Sequence, residues 1–181
     1  NDTIHIHPGS YTDSVTLNIP LKFYLEPNAN WSTTNTPMMN LAYSGSISVG
    51  GYGNFSTSLS AGSIMTVSPG FNIFNSTFKA FGLTVSSGTA FINVTGLDVE
   101  VEYISIDANG MLYDKNTTTG ITSIKITTNE LIVTGAKVAS IISGAADISF
   151  QINANLFRLI SPNITSPIIY NGSRANIVLN A

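Results

Sequence analysis

Short runs in which apolar and polar residues alternate recur along the chain, separated by Gly, Asn and Ser turns. Aligned by their apolar triplets, Phe81-Gly82-Leu83, Ile104-Ser105-Ile106, Ile124-Lys125-Ile126, Ile148-Ser149-Phe150 and Ile177-Val178-Leu179 start 23, 20, 24 and 29 residues apart. Alternation of period 2 predicts strands with one buried face. Return of such strands at this spacing predicts a stacked solenoid, since one coil cannot bury its own apolar face. The clearest coils run over 97–120, 121–144 and 145–172, each ending in glycine, which supplies a positive φ at a corner.

The first coil is equally legible. Ile4 and Ile6 fall on one strand face, Pro8-Gly9 marks a turn, and Val15-Thr16-Leu17-Asn18-Ile19 and Leu21-Lys22-Phe23-Tyr24-Leu25 follow. Pro20 and Pro27 mark corners, because proline cannot donate within a ladder. Residues 28–72 are less regular: Asn28 to Asn40 is polar and Gly45 to Gly53 glycine-rich. Short strands fit Leu41-Ala42-Tyr43, 46–49 and 64–67, within an insertion or loop-rich coils.

A strand ending in Pro-Gly-x-Tyr, then a Val-x-Leu strand and a Leu-x-Phe-x-Leu strand, resembles the opening coil of the pectin-lyase-like superfamily of right-handed parallel β-helices. That group includes pectinesterases, polysaccharide lyases and viral tail-spikes. The resemblance implies an all-β, single-stranded parallel β-helix of about six to seven coils, with 1–181 as one domain. It is one of architecture and brings no function with it.

Composition narrows the setting. Of 181 residues, 43% are hydrophobic and only 9% charged, against about 25% charged in typical domains. Polarity comes instead from 22 Ser, 20 Thr and 19 Asn. The net charge of −3, with seven scattered Lys and Arg, leaves no basic stripe for nucleic acid. No apolar run approaches the ~20 residues of a membrane-spanning helix. Asn1 is not a natural start and the last residues run into a strand, so a fragment of a longer protein is expected. There is no cysteine, so disulfides say nothing of redox compartment. Eight Asn-x-Ser/Thr sequons, about twice the chance number, follow from the richness in Asn, Ser and Thr; the low charge with abundant hydroxyls and amides fits an outer-surface protein.

Few residues carry candidate chemistry. His5 and His7 project to one side of a strand, about 6.5–7 Å apart; a metal site there lacks a third and fourth ligand, so both are expected in solvent. Glu100 and Glu102 share a strand face, and Asp107 and Glu130 offer a second carboxylate pair one coil apart. Glycoside hydrolysis needs such pairs, ~5–5.5 Å apart for retention or ~6.5–9.5 Å for inversion. Superfamily enzymes carry aspartates on neighbouring coils with Arg or Lys nearby, but Arg158 and Arg174 fall in no matching motif. Ser76-Thr77-Phe78-Lys79 only brushes a Ser-x-x-Lys pattern. Asn109, Asn129 and Asn153 each fall five residues after a triplet start, which predicts a stacked amide ladder at one corner. Trp31, Tyr43, Tyr52 and Phe55 are candidate exposed rings for stacking on sugars.

The leading expectation is a spike- or fibre-like attachment module on a virion or extracellular surface. Its partners are further copies, most simply in a trimer, and a cell-surface glycan; no cofactor is implied. The alternatives are a β-helix carbohydrate-active enzyme and a passive surface-layer or adhesin repeat.

Overall fold

A computed structural model describes residues 2–33, 36–58, 62–87, 89–94, 96–106, 112–114, 121–134, 139–141, 147–160, 169–171 and 175–180. The chain winds through β1 (Thr3–Ile6), β2 (Gly9–Tyr11) and β3 (Val15–Leu17), then β4 (Lys22–Leu25), β5 (Ala29–Thr33) and β6 (Pro37–Leu41). The next coil is β7 (Ser48–Gly51), β8 (Asn54–Thr57) and β9 (Ser63–Val67), followed by β10 (Ser76–Val85) with β11 (Phe91–Ile92). Beyond these lie β12 (Gly96–Ile106) and β13 (Leu112–Asp114), β14 (Ile121–Val133) and β15 (Ala139–Ile141), β16 (Asp147–Leu159) and β17 (Ile169–Asn171), and β18 (Ala175–Asn180).

All pairings between these strands are parallel. One sheet runs β1-β4-β7-β10-β12-β14-β16-β18 with β2, β5 and β8 attached, and the other runs β3-β6-β9-β11-β13-β15-β17. The protein is therefore an all-β parallel solenoid, with no helix among the described residues. Side-chain surroundings are described on both sheets for about four coils, β1 to β11, fewer than the six to seven expected; backbone pairing extends the ladder to β18.

Why these residues stack is visible in one inward column. Phe23 pairs with Val49, Val49 with Phe78, Phe78 with Val99, Val99 with Ile126 and Ile126 with Ile152. All six are buried. Beside it, rings pack from coil to coil: Phe23–Trp31 at 6.1 Å, Trp31–Phe55 at 6.3 Å, Phe55–Phe78 at 4.7 Å and Phe78–Phe91 at 5.4 Å between centroids. Such pairs contribute about 0.5–1.5 kcal/mol each beyond the area they bury.

Within 28–72, where an insertion or loop-rich coils are expected, β5 to β9 hold ordinary places in both sheets. Among the described residues most of its Asn and Ser side chains sit at corners or on outward positions, which hides the alternation beneath them, while Ser63 is buried. Asn28, for example, turns one corner at φ 67°, a conformation asparagine tolerates. The register also differs from the triplet alignment. Ile104 pairs with Leu131 and Ile124 with Leu97 and Phe150, so β12, β14 and β16 stack at offsets of 27 and 26 residues. Each long strand carries two apolar triplets, one either side of a bend, and aligning the most conspicuous ones mixed the two halves. Strands β4 and β5, or β7 and β8, are separate where Pro27 and Gly53 force a corner; β10 runs through, pairing with β7 at Phe78 and with β8 at Leu83.

At the first rung Ile4 remains 41% exposed and Ile6 half-buried, so that rung is less enclosed than the alternation suggested.

Phe55 touches rings on two neighbouring coils and is 1% exposed. Phe55→Ala should therefore destabilise the fold by about 3–5 kcal/mol, read as a lowered urea midpoint.

Candidate functional site

Outward positions of the first sheet form columns as regular as the inward ones. One column is His5, Tyr24 and Gly50, register partners in turn. Further along the same sheet Lys79 pairs with Glu100, Glu100 with Thr127, Thr127 with Asn153 and Asn153 with Asn180. Over these strands lies an open groove of about 570 Å³, lined by Tyr24, Gly50, Gly51, Tyr52, Lys79, Ala80, Glu100, Val101, Glu102, Thr127, Thr128 and Asn129. It crosses five rungs from β4 to β14, a length of roughly 19 Å at about 4.8 Å per rung.

Its depth comes from glycine. Gly50 places no side chain between Tyr24 and the Lys79 rung, while Gly51 turns the chain at φ 112°. The two glycines differ in necessity. A Cβ on Gly51 would lie 2.0 Å from the Leu25 carbonyl oxygen, whereas one on Gly50 would meet only Phe23 O and Tyr24 Cδ2, both at 3.8 Å. Gly53 is also fixed by packing, its notional Cβ falling 2.6 Å from Leu25 Cβ.

The charged lining is small and paired. Lys79 Nζ lies 2.5 Å from Glu100 Oε2, and both side chains are more than half exposed. The Asn129 amide donates to Glu102 Oε2, and Asn155 Nδ2 donates to Asn129 Oδ1 at 2.7 Å. Glu100 and Glu102 thus both reach the groove, held by different partners. Glu130 does not line it and instead faces Arg158 Nε at 3.6 Å. Asp107 lies outside the described residues.

The asparagine ladder exists in a different register from the one expected. Asn129 stacks with Glu102 and Asn155, while Asn153 belongs to another column and accepts from Asn180 Nδ2 at 2.9 Å. A further pair joins Asn54 Nδ2 to Asn30 Oδ1 at 3.0 Å. Asn109 lies outside the described residues. The 27- and 26-residue offsets decide this, because they carry Asn129 over Asn155 rather than over Asn153.

The aromatic candidates divide. Trp31, Tyr43 and Phe55 are 4%, 5% and 1% exposed and belong to the core, so they offer no face to a ligand. Trp31 Nε1 donates to Asp13 O at 2.8 Å and the Tyr43 hydroxyl to Ser46 O at 3.2 Å, which allows these amphipathic rings to be buried. Burial pushes the Tyr43 phenol above its usual range. Tyr52 is 61% exposed and lines the groove. Alternation places Tyr24 there too, outward between inward Phe23 and Leu25.

The histidines are both exposed but engage separately: the His5 ring packs on Tyr24 at 5.5 Å, and His7 Nδ1 meets Glu26 Oε1 at 3.0 Å. Among the described residues no three His, Cys, Asp or Glu side chains gather as a metal-binding group. Ser76 is buried, donating to Phe74 O and accepting from Ile47 N, whereas Lys79 points outward; the Ser-x-x-Lys likeness makes no nucleophile pair.

Comparison of the chain with protein-family models, curated proteins and solved structures finds no match.

Gly51→Ala should cost at least about 3 kcal/mol, the upper end of positive-φ strain, because its Cβ also meets backbone. Gly50→Ala should change stability by no more than about 0.5 kcal/mol. Thermal melts of the two variants, side by side, check the distinction.

Proposed function

We propose that the chain is a structural and attachment module, a solenoid shaft whose outer groove binds a surface glycan. The observation that carries this reading is the pairing, in one groove, of exposed Tyr24 and Tyr52 rings with the carboxylates, amide and hydroxyls of Glu100, Glu102, Asn129 and Thr127. Rings present apolar faces on which a sugar stacks, and the polar groups around them hydrogen-bond its hydroxyls. Few converging polar groups on a rigid sheet suit a binding site that is ready before the ligand arrives.

The setting belongs to the same proposal: a spike- or fibre-like element of a virion or a cell-surface appendage. The low charge and the hydroxyl- and amide-rich surface support it, as does the kinship in coil pattern with pectin-lyase-like β-helices and viral tail-spikes. Assembly into a homotrimer is part of it too. Ile19, 62% exposed, and Phe74, 50% exposed, stand at the corner that leads from the second sheet to the first. Apolar groups gathered along one corner would give further copies of the chain a surface to cover. Light scattering on a sizing column should give the trimer mass, and a monomer at high concentration would overturn the assembly.

One observation favours a second reading, a carbohydrate-active enzyme: Glu100 and Glu102 do reach one groove. A general acid, however, needs a carboxyl withdrawn from water, and Glu100 is 62% exposed beside an ammonium. Binding is thus the better use of these groups. Polysaccharide cleavage by the native chain that disappears in Glu100→Gln or Glu102→Gln would establish the enzyme instead.

Tyr52→Ala should weaken glycan binding about tenfold or more, the usual loss on removing an aromatic anchor, with an unchanged melting temperature. A blank glycan screen of the native chain would contradict the reading and favour a passive surface-layer repeat.

A further inference from the structure

Gly50 sits within β7, where glycine is disfavoured because it packs nothing and loses most chain entropy on ordering. Its neighbour Gly51 is explained by its backbone; Gly50 is not. Its φ lies outside the left-handed region, and a Cβ would make only ordinary contacts. The fold accepts a side chain at this position and the sequence omits one. A strand glycine that packing does not require is one of the places where a ligand can approach the backbone closely.

The surroundings say what approaches. Tyr24 is the register partner of Gly50, and its Cδ2 lies 3.8 Å from where a Cβ on Gly50 would sit, so the ring borders the vacant space. The ring packs against His5 of the preceding rung, which holds it in place. Toward the far side stand the Lys79 and Glu100 head groups, 2.5 Å apart and ready to donate to and accept from one hydroxyl-rich ligand. The Tyr24 and Lys79 rungs, with Gly50 between them, lie roughly 10 Å apart centre to centre, leaving a free gap of about 6 Å, room for one ring-sized group lying against Tyr24.

Charge narrows the class further. The charged lining consists of two carboxylates and one ammonium, and that ammonium is already engaged by Glu100. Glu102 receives only a neutral amide, from Asn129. An acidic sugar would bring a like charge to this site with no unpaired cation among the described lining residues to meet it, which disfavours binding.

We infer that the vacancy at Gly50 is a subsite for one sugar ring without an acidic group, neutral or amino-bearing, stacked on Tyr24 and hydrogen-bonded by Lys79 and Glu100. This rests on the glycan-binding reading above and adds to it a position and a chemical class.

The test uses calorimetric titration of the full chain with cellohexaose, a chitosan hexamer and a hexagalacturonate. The native chain should bind one or both of the first two and prefer them at least about tenfold over the galacturonate. Gly50→Val, whose methyl groups fill the gap while suiting a strand, should lose at least about tenfold in affinity and melt no lower than the native chain. Tyr24→Ala, an outward truncation, should show the same loss and serves if the valine variant does not fold. Equal binding by these variants would overturn the subsite, and a preference for galacturonate would overturn the class; either leaves glycan binding standing. A native chain that binds none of these glycans, nor any in a broad screen, would overturn both.

Discussion

In-register stacking of inward side chains is the constraint on which everything else in this molecule depends. No coil here has a core of its own. Phe23, Val49, Phe78, Val99, Ile126 and Ile152 are buried because each is covered by the next along the axis, and the Trp31–Phe55–Phe78 rings bridge the same coils. Stability is therefore cooperative between neighbours, as expected for a nearly one-dimensional stack. With only 9% charged residues, ion pairs contribute little to it.

The same ladder fixes what faces outward. If Phe23 is over Val49, then Tyr24 must be over Gly50; if Val99 is over Ile126, then Glu100 must be over Thr127. A slip of one residue would reverse the faces. The groove is thus written by the core register, and its residues come from five strands that lie far apart in sequence. The hydrogen-bonded ladder beneath the groove sets the spacing of its residues' backbone positions. Gly51 and Gly53 contribute by letting β7 and β8 turn closely over Leu25, whereas Gly50 contributes by leaving space.

The all-β solenoid was legible because alternation of Ile, Val and Phe with polar residues is a direct statement of one buried face. Register was not, since Leu97 to Ile106 and Ile124 to Val133 each hold two apolar triplets and period 2 cannot say which stacks on which. That uncertainty displaced the asparagine ladder from Asn153 to Asn155. Glu100 and Glu102 are legible as a pair on one strand face and Tyr52 as a separate ring, whereas the meeting of the pair with Tyr52 in one groove is not foreseeable without the offsets. Trp31, Tyr43 and Phe55 were misread as exposed, because corner residues rich in Asn, Ser and Gly disguise the strands that bury them. Tyr24 and Lys79 stand in the sequence without a sign of a shared groove, though their outward places follow from the alternation around Phe23 and Phe78.

The central claim is that one groove across these five strands is the ligand-binding face. Amide chemical-shift mapping during titration with a bound oligosaccharide tests it most directly. The account predicts shifts confined to Tyr24, Gly50 to Tyr52, Lys79, Glu100 to Glu102 and Thr127 to Asn129, with none at the Phe71 to Phe74 corner. Shifts centred on that corner, with the groove amides unmoved, would contradict it.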